Sequence, residues 1–144
     1  MNEGNRPVVL GYDDSDPSRA AVPVAVELAR ALGADLVVAF GYEPPRSGGE
    51  VGALRDEIEK VGEELAAEAV AAAHAIDPGL PVRVELVQDR PAEAVVRVAD
   101  DLDARLIVLG HRQMSLLAEV FVGSVLESVM AATVRPVVVV QAED

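Results

Sequence analysis

Short continuous apolar runs alternate with longer amphipathic segments along most of this chain. Pro7–Tyr12 (PVVLGY) is apolar and carries a glycine near its end, the pattern of a buried strand, and Asp13-Asp14-Ser15-Asp16 supplies the turn after it. Ser15 or Asp16 can cap a helix from about Ser18 to Leu32, with Pro17 near its first position and Gly33 as its stop. Pro23 falls inside that pattern and predicts a bend or a late start to the regular part. Asp35–Gly41 (DLVVAFG) reads as a second buried strand, and the proline- and glycine-rich stretch from Glu43 to Gly52 as a loop. A long helix follows from Ala53 to Ala75, with Leu54, Ile58, Val61, Leu65, Ala69 and Ala72 at helical spacing and Glu and Arg on its other face.

After Asp77-Pro78-Gly79, Pro81–Val87 (PVRVELV) alternates apolar with charged residues, marking a strand open to water on one side. Arg90-Pro91 opens a short helix to about Asp103. Leu106–Leu109 is the fourth strand, Ser124–Ala132 the last helix and Pro136–Val140 the last strand. Strand and helix thus alternate, which predicts an α/β domain: a five-stranded, mainly parallel open sheet with helices on both faces. No second domain, internal repeat or low-complexity tract is visible in residues 1–144. Sheets of this doubly wound kind bind ligands beyond the carboxyl ends of their strands, where the strand order reverses. The loops after strands one, two and four are expected to meet there, bringing Asp13, Phe40 and Gly110 together.

Composition sharpens this picture. Half the residues are apolar but only 3% are aromatic, so Val, Ala and Leu must build the core. A formal net charge of −13 argues against nucleic acid or an anionic membrane as general partner. The absence of cysteine excludes disulfides, thiolate metal sites and cysteine catalysis. Met1–Pro7 does not resemble a signal peptide, and no apolar stretch reaches the roughly 18 residues of a membrane span, so a cytoplasmic location is expected.

The candidate chemistry lies between Arg105 and Glu127. A strand stopping at Gly110, a loop, and a helix opening at Gly123-Ser124 can make an anion site: the helix start offers unpaired N–H groups and the positive end of its dipole. The spacing is Gly110, two residues, Gln113, nine residues, Gly123-Ser124. This resembles the universal stress protein family, which has Gly, two residues, Gly, nine residues, Gly and then Ser or Thr; Gln113 replaces the middle glycine. GYDDS after strand one is similar to the family's V-D-x-S, and DRPAEAVVRVADDLDARLIVLG and RPVVVV resemble its later segments.

The resemblance implies an adenine nucleotide, ATP or AMP, held by Tyr12, Asp13, Phe40, Leu109, Gly110, Arg112, Gln113, Gly123, Ser124 and Val125. Any Mg²⁺ would be held through the nucleotide phosphates. Asp13 would accept hydrogen bonds from ribose hydroxyls, or else caps the turn. Phe40 would offer backbone groups to adenine, or else fills the core. Gly110, Gly123 and Ser124 would contact phosphates, or else permit a tight turn. Gln113 crowds the phosphates, points outward or offers them its amide. His111 reads as a solvated loop residue, and His74 sits near a helix end where a cation suits the dipole. Met114, Leu116, Leu117 and Phe121 form an apolar cluster that either folds over a ligand or packs on a partner.

Other chemistries fail on the sequence. There is no G-x-x-x-x-G-K-[ST] loop and no G-x-G-x-x-G after strand one. The Ser-Gly-Gly-x-Asp-Ser loop of adenylating enzymes with a similar sheet is replaced by Gly11-Tyr12-Asp13-Asp14-Ser15. No metal-binding histidine spacing and no Ser-His-Asp order stands out. A regulatory nucleotide-binding protein is expected, with at most slow ATP hydrolysis and no catalytic residue assigned. The alternative is a dimeric interaction protein of the same fold that binds no nucleotide. The valines of Pro136–Val140, with only QAED after them, predict an exposed sheet edge. The family resemblance likewise implies a homodimer through this strand.

Overall fold

Strand β1 (Val8–Gly11) is the centre of the fold, with no residue of it exposed. A computed structural model describes residues 5–43, 51–112 and 125–142. The remaining elements in chain order are α1 (Asp16–Leu32), β2 (Leu36–Tyr42), α2 (Val51–Ile76), β3 (Val82–Gln88), α3 (Pro91–Asp101), β4 (Leu106–Arg112), α4 (Val125–Ala132) and β5 (Val137–Ala142). The strands form one sheet in the order β3-β2-β1-β4-β5, every neighbouring pair parallel. Chain order therefore reverses at β1, which has β2 on one side and β4 on the other, as the α/β pattern requires.

The side-chain period of two along each strand feeds two cores. Val8, Leu10, Leu36, Val38 and Val108 point to the side covered by α1 and α2. Val9, Val37, Ala39, Ile107 and Leu109 point to the side covered by α3 and α4. With so few aromatics, the helices lie close on alanine and valine: Ala21, Ala25 and Ala29 of α1, and Ala94, Val95 and Val98 of α3, are buried.

Helix α1 starts earlier than its apolar pattern alone predicts. Ser15 is its N-cap and accepts from the Ser18 N–H at 3.2 Å, so the helix already begins at Asp16. It runs through the exposed Pro23 and ends at Gly33, whose φ of 64° is the left-handed geometry glycine tolerates. The fourth strand continues past Leu109 to Arg112, and the last runs on from Val137 to Ala142, because the two pair residue for residue along that length.

Helix α2 differs most from expectation. Of the stripe Leu54, Ile58, Val61, Leu65, Ala69 and Ala72, only Ala69 is fully buried; Leu54 is 45% and Val61 48% exposed. The buried line is Gly62, Ala66, Ala69 and Ala73. The reason is steric. Phe40 of β2 projects under the helix, its Cε1 lying 3.3 Å from where a β-carbon on Gly62 would stand, so only the smallest residues fit that line. His74, near the helix end, is tied by its Nε2 to the Leu80 carbonyl at 3.1 Å.

The amino-terminal edge of the sheet is fastened by charge. Arg135, just before β5, donates to Asp100 and Asp103 (both 3.1 Å) and to the Ala104 carbonyl (2.9 Å), joining β5 to the end of α3. Arg6 adds a second guanidinium on Asp103 at 3.2 Å. Arg135 and Arg6 together hold the Asp103 carboxyl below the ordinary carboxylate range. A lowered carboxyl pKa contributes stability that is present above the unfolded value and lost as pH falls through the folded one. Arg135→Gln is therefore expected to lower the thermal midpoint at neutral pH by about 3 °C or more. The gap to the parent protein should narrow as the solution is acidified below about pH 4 and towards the depressed pKa of Asp103. Calorimetry across that range checks both signs.

Candidate functional site

An open cleft, about 390 Å³ with its mouth included, lies at the carboxyl ends of β1, β2 and β4. Its walls are Gly11, Tyr12 and Asp13 from β1 and its turn, Ala39 and Gly41 from β2, Leu109 and Gly110 from β4, Ser15 and Ser18 from the start of α1, Pro91 and Val95 from α3, and Val125 from α4. The cleft therefore sits at the reversal of strand order, where backbone from three strands and three helix starts converges.

Glycines make this convergence sterically feasible. A β-carbon on Gly110 would lie 2.0 Å from the Pro17 carbonyl oxygen, so α1 can start against β4 only because that residue has no side chain. On β2, a β-carbon at Gly41 would meet the Ala94 Cβ at 2.8 Å and the Asp89 carbonyl oxygen and Pro91 Cα at 3.0 Å. The beginning of α3 is thereby drawn into the cleft wall.

The turn after β1 is closely bonded. Tyr12 N–H donates to the Ala39 carbonyl at 3.0 Å, which holds the end of β1 to β2. Ser15 N–H donates to Asp13 Oδ1 at 3.0 Å. The buried Ser18 hydroxyl donates to the Ser15 carbonyl at 3.0 Å and accepts from the Asp13 N–H at 3.4 Å. Asp14 has a φ of 64°, costly for a non-glycine residue. Arg19 compensates by bonding the Asp14 carbonyl, Asp14 Oδ1 (2.7 Å) and the Asp16 carboxylate. Burial, with the nearby Asp14 carboxylate, raises the Tyr12 pKa and keeps its phenol neutral. Asp13 is exposed, and its second carboxylate oxygen makes no hydrogen bond to the described residues. That oxygen is free to accept from hydroxyl groups of a ligand.

Helix starts supply the opposite sign. The N-cap of α3, Arg90, makes no side-chain capping bond, so the first N–H groups of α3 lack the capping acceptor that Ser15 gives α1. The cleft thus combines partial positive charge at helix starts with one available carboxylate oxygen, an arrangement suited to a polar ligand carrying both anionic and hydroxyl groups.

Of the residues singled out by sequence, Tyr12, Asp13, Leu109, Gly110 and Val125 line the cleft. Phe40 does not: its ring packs toward α2, while Ala39 and Gly41 on either side of it face the opening. Arg112 ends β4 as an exposed residue and is not part of the wall. Gln113, Gly123 and Ser124 lie outside the described residues, as do Met114, Leu116, Leu117 and Phe121. Sequence reasoning missed the contribution of α3 through Pro91 and Val95. The available signal was a glycine near the end of β2, Gly41, together with a proline, Pro91, opening α3.

The model of the universal stress protein family matches residues 4–141. A universal stress protein of Thermus aquaticus is 37% identical over 139 residues, covering 93% of this chain and 97% of that relative. A universal stress protein solved in complex with cAMP superimposes with a TM-score of 0.71 at 27% identity, covering 94% of this chain and 95% of that one. One from Archaeoglobus fulgidus in complex with dAMP gives 0.68 at 26% identity, covering 93% and 96%.

The cleft geometry makes Gly110 the most sensitive wall position. Gly110→Ala is expected to push α1 from β4 and cost about 1–3 kcal/mol of stability. Chemical denaturation measures this, and an unchanged midpoint would show that the two elements separate freely.

Proposed function

This chain belongs to the universal stress protein family, and from that premise we propose that it is a regulatory protein that binds an adenine nucleotide, ATP or AMP, in the cleft at the ends of β1, β2 and β4. The observation that carries this reading is the backbone-lined cleft with Asp13 at its rim and helix starts in its wall. Asp13 accepts from the ribose hydroxyls through its unbonded oxygen, and the backbone at Ala39 and Gly41 meets the base. The phosphates lie towards Gly110 and the segment leading into α4, where Gln113, Gly123 and Ser124 occupy the motif positions. The relatives solved with cAMP and dAMP support the adenine class. Any Mg²⁺ enters on the phosphates. The reading includes regulation by occupancy, a cytoplasmic site of action and no rapid turnover.

The same reading includes a homodimer through β5. This strand has β4 as its only neighbour among the described residues. The Ile107 N–H bonds the Pro136 carbonyl, so alternation along β5 turns the backbone groups of Val137, Val139 and Gln141 away from the sheet. Exposed Met130, Val134 and Val139 add apolar surface near that edge. A two-fold copy pairing antiparallel would cover both the backbone and the valines.

Three measurements test these statements. Mass spectrometry of material released by heat from the purified protein should show an adenine nucleotide. Calorimetric titration should show Asp13→Ala binding at least about tenfold more weakly, the equivalent of about 1.4 kcal/mol. No released nucleotide and no heat with ATP or AMP would assign the chain to the non-nucleotide-binding alternative. Separately, Val139→Lys should weaken dimerisation in light scattering, and a monomeric parent protein would end the β5 proposal.

A further inference from the structure

The opposite edge of the sheet is β3, whose residues alternate apolar and charged. Strand β3 pairs along its whole length with β2, from Val82 opposite Leu36 to Gln88 opposite Tyr42, and has no neighbour on its other side among the described residues. The Leu36 N–H donates to the Pro81 carbonyl, so Pro81, Arg83, Glu85 and Val87 turn their backbone groups to β2. Val82, Val84 and Leu86 turn theirs outward. Their side chains point to the α2 side, where Glu63, Ala67 and Val70 complete an open groove with Val84 and Leu86. On the opposite face of the strand stand Arg83, exposed, and Glu85, half-buried. Neither makes a side-chain hydrogen bond or ion pair with the described residues.

We propose that β3 is a second self-association surface, on which a second copy of this chain pairs its own β3 antiparallel about a two-fold axis through Val84. Alternation of the backbone and the positions of the charges select this register together. An isologous antiparallel pair needs an axis that places each residue opposite its symmetry partner. With the axis at Val84, the two Val84 residues form a hydrogen-bonded pair, as do Val82 and Leu86 on each side, using the groups that point outward. Arg83 of each copy then stands opposite Glu85 of the other, in the non-hydrogen-bonded pairs whose α-carbons are only about 4.5 Å apart. Opposite charges in that position stabilise the pair, and like charges destabilise it. An axis at Glu85 would oppose two glutamates, and one at Arg83 two arginines. Among residues of β3 itself, only the Val84 register gives two ion pairs on one face and an apolar line on the other. An axis at Leu86 would bring Arg83 opposite Asp89, which lies beyond the strand and is already bonded by Arg97.

Edge charges alone would act as guards against association. The complementary spacing of Arg83 and Glu85 about an apolar residue with outward backbone groups instead makes the edge match itself. The surface is independent of the cleft and lies at the far edge from β5, so its failure would leave both earlier readings untouched.

The test is a charge swap, read by sedimentation velocity on the full chain carrying Val139→Lys to suppress pairing through β5. That protein is expected to remain a reversible dimer. Adding Arg83→Glu opposes two carboxylates in each cross-strand pair, and adding Glu85→Arg opposes two guanidinium groups. Each should weaken association by about tenfold or more, as two unfavourable cross-strand pairs dictate. The double swap, Arg83→Glu with Glu85→Arg, restores opposite charges and should recover the association of the background protein. A monomer in the background protein, single swaps that associate unchanged, or a double swap that stays weak would each overturn the proposal. Circular dichroism of all four proteins confirms that the comparison is between folded chains.

Discussion

The contact between the first turn of α1 and the end of β4 is the constraint on which the upper part of this structure depends. Pro17 presents its carbonyl so close to Gly110 that no β-carbon fits between them. Because α1 begins there, the turn of Asp13 to Ser15 must fold within the few residues between β1 and the helix. Its backbone is consequently bonded by Ser18, Arg19 and the Asp13 carboxylate. Tight packing and functional geometry are thus one feature: the glycine that lets the helix approach also leaves the cleft wall as bare backbone. Gly41 repeats this logic at β2, where α3 takes the space a side chain would fill.

Charge is divided between the two ends of the sheet in a way the net value hides. A chain of formal charge −13 would repel an anionic ligand at long range. At contact distance, however, the start of α3, whose N-cap Arg90 makes no side-chain capping bond, offers a fixed dipole to the cleft that needs no counter-ion. At the other end, Arg135 and Arg6 are committed to Asp100, Asp103 and backbone carbonyls at the close of α3. The basic residues there serve folding, while the cleft wall is made of backbone groups, hydroxyls and the Asp13 carboxylate.

The order of elements and the parallel sheet were legible because buried strands write themselves as short apolar runs between helix-length segments. β1 and β2 show this plainly, since helices cover both of their faces. Asp13 and Gly110 were legible for a related reason: a residue at the carboxyl end of a central strand can lie nowhere else. What the sequence concealed depended on contacts between elements. The larger apolar residues of α2 suggested a buried stripe, but the helix turns Gly62, Ala66, Ala69 and Ala73 inward because Phe40 and the sheet leave no room for Leu54 or Val61. Phe40 was expected to offer backbone groups at the end of strand two or else to fill the core; its ring fills the core beside α2, because period two sends it to that face and leaves Ala39 and Gly41 in the wall. The share of α3 in the cleft is likewise a packing outcome, set by the space above Gly41.

An all-parallel sheet leaves two edges that differ in chemistry, and the difference follows from the helices beside them. At β5, alternate valines reach both cores, while Val139 remains 37% exposed. At β3, α3 gives little cover to the second face, so charged Arg83 and Glu85 are tolerated there while Val82 and Val84 still serve the core under α2. In both strands the residue whose backbone points outward is fixed by its bond to the inner neighbour, through Pro136 in one case and Pro81 in the other. The register of anything that pairs with either edge is therefore constrained by the same alternation that built the core. Apolar side chains give β5 little to distinguish one register from the next, whereas the alternating charges of β3 penalise every two-fold register that opposes like signs. Specificity at an edge of this sheet thus comes from the face the helices leave uncovered.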